Sequence, residues 1–245
     1  MHRIAHWIGV ELTPVSTKEK LVSAAGGFIA IWVIIAVSRH ALQLDGAALL
    51  IASMGASAVL LFAAPHGQLS QPWPVIGGHL ISALIGVCCA QSIADPQLAA
   101  GCAVGIAIGV MHQLKCIHPP GGATALTAVI GGPAVHNLGY SFVWCPVLVN
   151  ALAIVAVAIT FNWSFKWRRY PAILNPVKSL PPHKPEISHE SVVAALQTLD
   201  SFVDITEEDL VQLVQILSQP QLPDMTESDD SQRKRSQRIR SSTPV

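Results

Sequence analysis

Apolar residues fill the first two-thirds of the chain in six runs, at 21–37, 47–64, 75–94, 98–114, 123–130 and 143–161. A helix rising 1.5 Å per residue needs about 20 residues to cross roughly 30 Å of hydrocarbon. Five runs reach or approach that length, and the run at 123–130 does not. Counted from Gly121 to Gly131, a helix there would cover only about 16 Å. Ahead of it, Lys115 should mark the membrane surface, and the stretch to Pro120 climbs about 20 Å if extended. Pro119 and Pro120 lack amide protons and disfavour helix before them. The pattern therefore predicts a half-length helix that starts near Gly121, at the bilayer midplane, after an extended approach. Irregular backbone at that depth needs protein or a cavity around it. A tight loop between two slightly short helices is the alternative.

Two of the runs share a motif. Met54 to Pro65 reads MGASAVLLFAAP and Gly121 to Pro133 reads GGATALTAVIGGP. A shift of 67 positions lays Gly55 on Gly122, Ala56 on Ala123, Ser57 on Thr124 and Ala58 on Ala125. Such a duplication inside apolar sequence points to repeated halves and to transport before catalysis. With three crossings per repeat, the halves would be inverted, so the helices after Gly55 and Gly122 would bring their amino ends together from opposite sides. The first copy is the softer one, because 47–64 also suits a single unbroken helix.

Charge placement agrees with a membrane domain. Of 245 residues, 51% are hydrophobic and 12% charged, and mean hydropathy is +0.47. From Leu21 to Phe165 the only charged side chains are Arg39, Asp45, Asp95 and Lys115. Arg3, Lys18 and Lys20 precede the first run, and Lys166, Arg168 and Arg169 follow the last. Both ends are thus expected on the cytoplasmic side, with an even number of crossings. Trp7, Trp144, Trp163, Trp167 and Tyr170 suit the membrane interface. No cleavable leader is expected from residues 1–20, and a net charge of zero argues against bulk nucleic-acid binding. The cysteines suggest apolar packing thiols and no disulfide framework.

The expected fold is an all-α polytopic membrane protein, with about six transmembrane or half-membrane helices in two inverted three-helix repeats. The membrane domain spans 1–170, a proline-rich linker 171–187, a cytosolic helical pair 188–218 and a basic disordered tail 219–245. The second cytosolic helix starts at Thr206, with Ile205 and Leu210 placed for a hydrophobic staple.

Candidate chemistry lies at the paired motifs. An exposed helix amino end offers unpaired amides and a partial positive charge, so it holds an anion without a buried Lys or Arg. Gly55, Ala56, Gly121, Gly122 and Ala123 would allow close approach, and Ser57 and Thr124 would add hydroxyls. Helix packing through small residues is the other reading. His118, before the structural pair Pro119 and Pro120, either contacts substrate and carries a proton or ties down the irregular backbone. His79 in PVIGGHLIS and Asn150 in PVLVNALAI occupy comparable places and are candidate partners along the pathway, or plain interhelical hydrogen-bonding groups. His112, Cys116 and His118 lack the further ligands that a metal site would want, so no metal or cofactor is expected. No catalytic motif is present, so an enzyme is not expected.

Three ordered strings, GASAVLLFAAP, QPWPVIGGHLISALIG and HPPGGATAL, together resemble the HPP family of integral membrane proteins, named after its His-Pro-Pro motif. The resemblance covers residues 20–163. The family is usually described with fewer spans than the six segments here. Its chloroplast relatives are associated with nitrite transport, and some relatives carry nucleotide-sensing CBS modules behind a linker similar to LDSFVDITEEDL here. The resemblance implies an integral membrane protein of a bacterial inner membrane or an equivalent organelle membrane. A small inorganic anion, nitrite first, is the expected substrate, moved by alternating access with proton coupling. The lipid bilayer and a second copy of the chain are the other partners considered. A passive anion channel and a membrane-anchored sensor or scaffold acting through its cytosolic tail are the alternatives.

Overall fold

The computed structural model describes residues 15–41 and 48–174, with side chains over 15–38 and 52–174. The expected cytosolic helical pair, the basic tail and nearly all of the linker lie outside the described residues, as does Trp7. No strand occurs among the described residues, which all fall in one compact unit.

All six apolar runs form helices. With a single added turn, α6 (Pro133–His136), the described α-helices in chain order are α1 (Thr17–Ala41), α2 (Ala48–Ala63), α3 (Pro72–Ser92), α4 (Pro96–Gln113), α5 (Pro119–Ile130), α6 and α7 (Val149–Trp163). A π-helical turn at Val143–Leu148 leads into α7, and Cys145 within it is extended (φ −138°, ψ 109°) because Pro146 follows. Among the described residues, three stretches are long and apolar enough to cross a membrane: Thr17–Ser38, Pro72–Ser92 and Val143–Trp163.

Two expectations need correcting. Helix α2 runs unbroken through Gly55, so the first motif lies inside a helix and supplies no amino end. Helix α5 starts at Pro119, two residues before the expected Gly121, because proline's fixed φ suits the first helical turn. It remains short: its 12 residues span about 18 Å.

Lys115, expected as a surface marker, also shapes the chain. It adopts φ 55° just past α4, with its amide donating to His112 O and that of Cys116 to Met111 O. This is a Schellman stop, usually built on Gly. Buried Met111 and Cys116 add apolar contact beneath it.

Hydrogen bonds gather one end of the bundle. The Arg168 guanidinium donates to Glu19 at the start of α1, to Ser23, to the Phe62 carbonyl near the end of α2, and to Asn162 near the end of α7. Trp73, in the first turn of α3, donates to Leu114 O past α4, at 3.1 Å. His118, ahead of α5, donates to Leu69 O, at 2.9 Å. The amino ends of α1, α3 and α5 thus meet the carboxyl ends of α2, α4 and α7.

Helices α3 and α5 form the centre, packed at backbone distance. A Cβ on Gly121 would lie 2.9 Å from Gly78 O, and one on Gly86 would lie 2.6 Å from Ala125 O. Small residues here let two backbones approach, as dispersion and hydrogen bonding in a membrane interior favour. One apolar layer (Ile34, Met54, Leu61, Phe62, Val147, Ile154) covers this pair, and a second (Ala99, Ala103, Ala107, Met111) covers its other face.

Candidate functional site

The sequence around α5 places a histidine where the chain must be extended. His118 precedes two prolines, takes φ −143° and ψ 103°, and forms the cap position of α5 without using its side chain as a cap. Its ring turns into the bundle and is fully buried. His79, seven positions after Pro72 and about 10 Å along the α3 axis from it, is fully buried beside it. The two ring centroids are 5.0 Å apart.

The two motif hydroxyls converge on these rings. Ser57 Oγ lies 2.8 Å from His79 Nε2 and 2.8 Å from His118 Nε2. Thr124 Oγ1 lies 2.7 Å from His79 Nδ1 and 3.2 Å from Ser53 Oγ. His118 Nδ1 is held by Leu69 O. Ser53, Ser57, His79, His118 and Thr124 are all fully buried. Positions 57 and 124, equivalent under the 67-residue shift, therefore meet on one imidazole.

The remaining candidates divide by burial. Ala56 and Ala123 are exposed and point away from the cluster. Gly55 and Gly122 are half-buried, and a Cβ on either meets nothing within 4 Å. Gly121 instead serves the α3–α5 contact. Asn150 is buried but bonds elsewhere, its Oδ1 accepting from Ser38 at 3.3 Å, and its Nδ2 finds no partner. Asn150 and His79 share no hydrogen bond.

Backbone amides contribute less than the sequence suggested. Pro119 and Pro120 carry no N–H, and the Gly121 amide already donates to His118 O at 2.8 Å. Side chains supply the donors instead: two hydroxyls and two imidazoles. No group of three or more potential metal ligands occurs among the described residues.

Three groups escaped the sequence reading. Ser53 sits four residues before Ser57 on the same helix face, a spacing that could have revealed it. Leu69 acts only through its carbonyl, which leaves no trace in side-chain patterns. The third is the bracket around residues 65–71, where Tyr170 donates to Ser70 O at 2.8 Å and Gln71 Nε2 to Gly67 O at 2.9 Å. Tyr170, expected at the interface, is fully buried there, and burial pushes its phenol pKa up. Arg168, counted above as a basic flank, is buried against Glu19; burial lowers its pKa, with Glu19 opposing.

Residues 12–171 match the family described as HPP, transmembrane region. The chain belongs to this HPP transmembrane family. Two Dictyostelium discoideum proteins described as transmembrane proteins are similar to it. One is 34% identical over 171 residues, covering 67% of this chain and 55% of that protein. The other is 37% identical over 126 residues, covering 50% and 44%. The chain thus spans about half the length of these curated relatives. No solved structure matches it. The buried histidine cluster lies wholly within the matched HPP region.

Proposed function

We propose that this HPP domain is a transporter, not an enzyme, that moves a small inorganic anion together with a proton. Nitrite is the first candidate substrate, on the resemblance to a family with nitrite-transporting relatives. The observation that carries the reading is the meeting of Ser57 and Thr124 on His79, with His118 completing the cluster. An anion taken alone into such a low-dielectric interior would be costly, whereas anion and proton together leave it neutral. The hydroxyl and imidazole donors can each turn toward an anion by giving up one bond within the cluster. Alternating helix directions support two inverted three-helix halves and six passes, with both chain ends on the cytoplasmic side of a bacterial inner membrane or an equivalent organelle membrane.

The test is uptake into proteoliposomes holding the full chain, screened over nitrite, nitrate, formate and chloride with and without a pH gradient. Saturable nitrite uptake, faster with an acidic exterior, is the expected result. Flux that neither saturates nor counter-exchanges would make the protein a passive channel. A Ser57→Ala, Thr124→Val double variant that folds and transports at the wild-type rate would sink the proposed site. Truncation after Leu174, which spares Arg168 and Tyr170, should preserve flux; a scaffold acting through its tail would lose its output.

A further inference from the structure

The hydrogen-bond partners fix where the protons of the cluster sit. Leu69 O can only accept, so His118 Nδ1 carries a hydrogen. In the neutral ring His118 Nε2 is then an acceptor, and the Ser57 hydroxyl donates to it at 2.8 Å rather than to Ser53 O at 3.2 Å. A serine has one hydroxyl hydrogen, so Ser57 must accept from its other imidazole partner, and His79 Nε2 carries the second ring hydrogen. His79 Nδ1 is therefore an acceptor and takes the Thr124 hydroxyl hydrogen. One direction of donation runs Thr124 to His79 to Ser57 to His118 to Leu69 O. A single carbonyl thus sets the tautomer of both rings.

The same atoms accommodate one more proton. A proton on His79 Nδ1 turns Thr124 into an acceptor there, and its hydroxyl hydrogen goes to Ser53 Oγ at 3.2 Å or Pro120 O at 3.5 Å. A proton on His118 Nε2 makes Ser57 accept from both rings, and its hydrogen goes to Ser53 O at 3.2 Å. Every donor keeps an acceptor in either case. A second proton would place two cations on rings with centroids 5.0 Å apart, bridged by one hydroxyl. Glu19 on α1, which packs against α2, is already paired with Arg168. Among the described residues, α2 and α5 carry no titratable side chain, and α3 adds only Cys88 and Cys89. Helix α4 adds Cys102 and His112, the approach to His118 adds Lys115 and Cys116, and the 65–71 bracket adds His66. None is a carboxylate.

We infer that Ser57, His79, His118 and Thr124 form a binding site for one proton, shared between two imidazoles through Ser57. The inference deepens the transport reading by naming the residues that hold its co-ion, and it rests on that reading only for the anion. Histidine nitrogen NMR of the full chain in nanodiscs tests it, with His79→Asn and His118→Asn used only to assign the signals. At neutral pH His118 should be protonated on Nδ1 and His79 on Nε2. Acidification should add one proton to the pair while the fold persists. The opposite tautomer on either ring, two imidazolium rings in the folded protein, or no uptake before unfolding would each overturn it. In proteoliposomes the expected coupling is one proton per nitrite. Proton uptake without nitrite flux would refute the anion reading and leave this site standing. Nitrite flux with both rings neutral would do the reverse.

Discussion

Thr124 Oγ1 lies 2.7 Å from His79 Nδ1, joining the half-length helix α5 to the long helix α3 inside the bundle. Removing that hydroxyl leaves a buried ring nitrogen without its partner. Thr124→Val should therefore cost about 1–3 kcal/mol, whereas Thr124→Ser keeps the donor and stays near wild type. Thermal unfolding in detergent, paired with nitrite uptake, checks both variants.

Gly121 and Gly122 are neighbours with opposite tolerances. A methyl at Gly121 would press on Gly78 O and Ser82 Oγ, at 2.9 and 2.8 Å. Gly121→Ala should cost about 1–3 kcal/mol as overpacking against backbone that cannot yield. Gly122→Ala and Gly55→Ala meet open space, and each should gain up to about 1 kcal/mol in helix propensity. If an anion needs close backbone approach at those two glycines, the stable Ala variants will nonetheless transport poorly. Unchanged uptake would assign the anion to the side chains alone.

Glu19 and Arg168 form a buried ion pair, with Trp167 Nε1 also donating to Glu19 at 2.9 Å. Glu19→Gln strands a buried guanidinium and should destabilise the domain by about 3–5 kcal/mol. Arg168→Lys should not substitute for arginine, because a point charge cannot reach Glu19, Ser23, Asn162 and Phe62 O from one planar fork. Expression yield and melting temperature of the two variants provide the comparison.

Lys115 occupies a left-handed position that glycine would fill without strain. Lys115→Gly should raise stability by about 1 kcal/mol, with uptake unchanged if the lysine only anchors the surface. A loss of flux in a more stable protein would give this side chain a direct part in transport.

The helices and four of the cluster residues were legible because they depend on local pattern. Apolar runs marked every described α-helix except the single turn α6, and the 67-residue shift singles out Ser57 and Thr124. His79 and His118 stood out as polar groups in apolar surroundings. The unbroken course of α2 was harder to read, since small residues suit either a helix interior or an exposed end. Glu19 and Arg168 gave no signal at all: they are 149 positions apart, and each looks like an ordinary flanking charge. Leu69 acts through its backbone carbonyl, which every residue possesses, so sequence could not distinguish it.

The glycine contact between α3 and α5 also divides the cluster between two sets of helices. His79 and Thr124 sit on the two helices that Gly78, Gly86 and Gly121 bring to backbone distance, and His118 precedes the second of them. Those three side chains are held together by that close contact. Ser53 and Ser57 belong to α2 and meet that pair through hydroxyl bonds, beside the apolar packing of Met54 and Leu61. Sliding α2 by one helical turn would carry Ser57 off both imidazoles and leave the His79–Thr124 bond whole. Of the helices that supply the cluster, α2 is therefore the one that the glycine contact leaves unlocked.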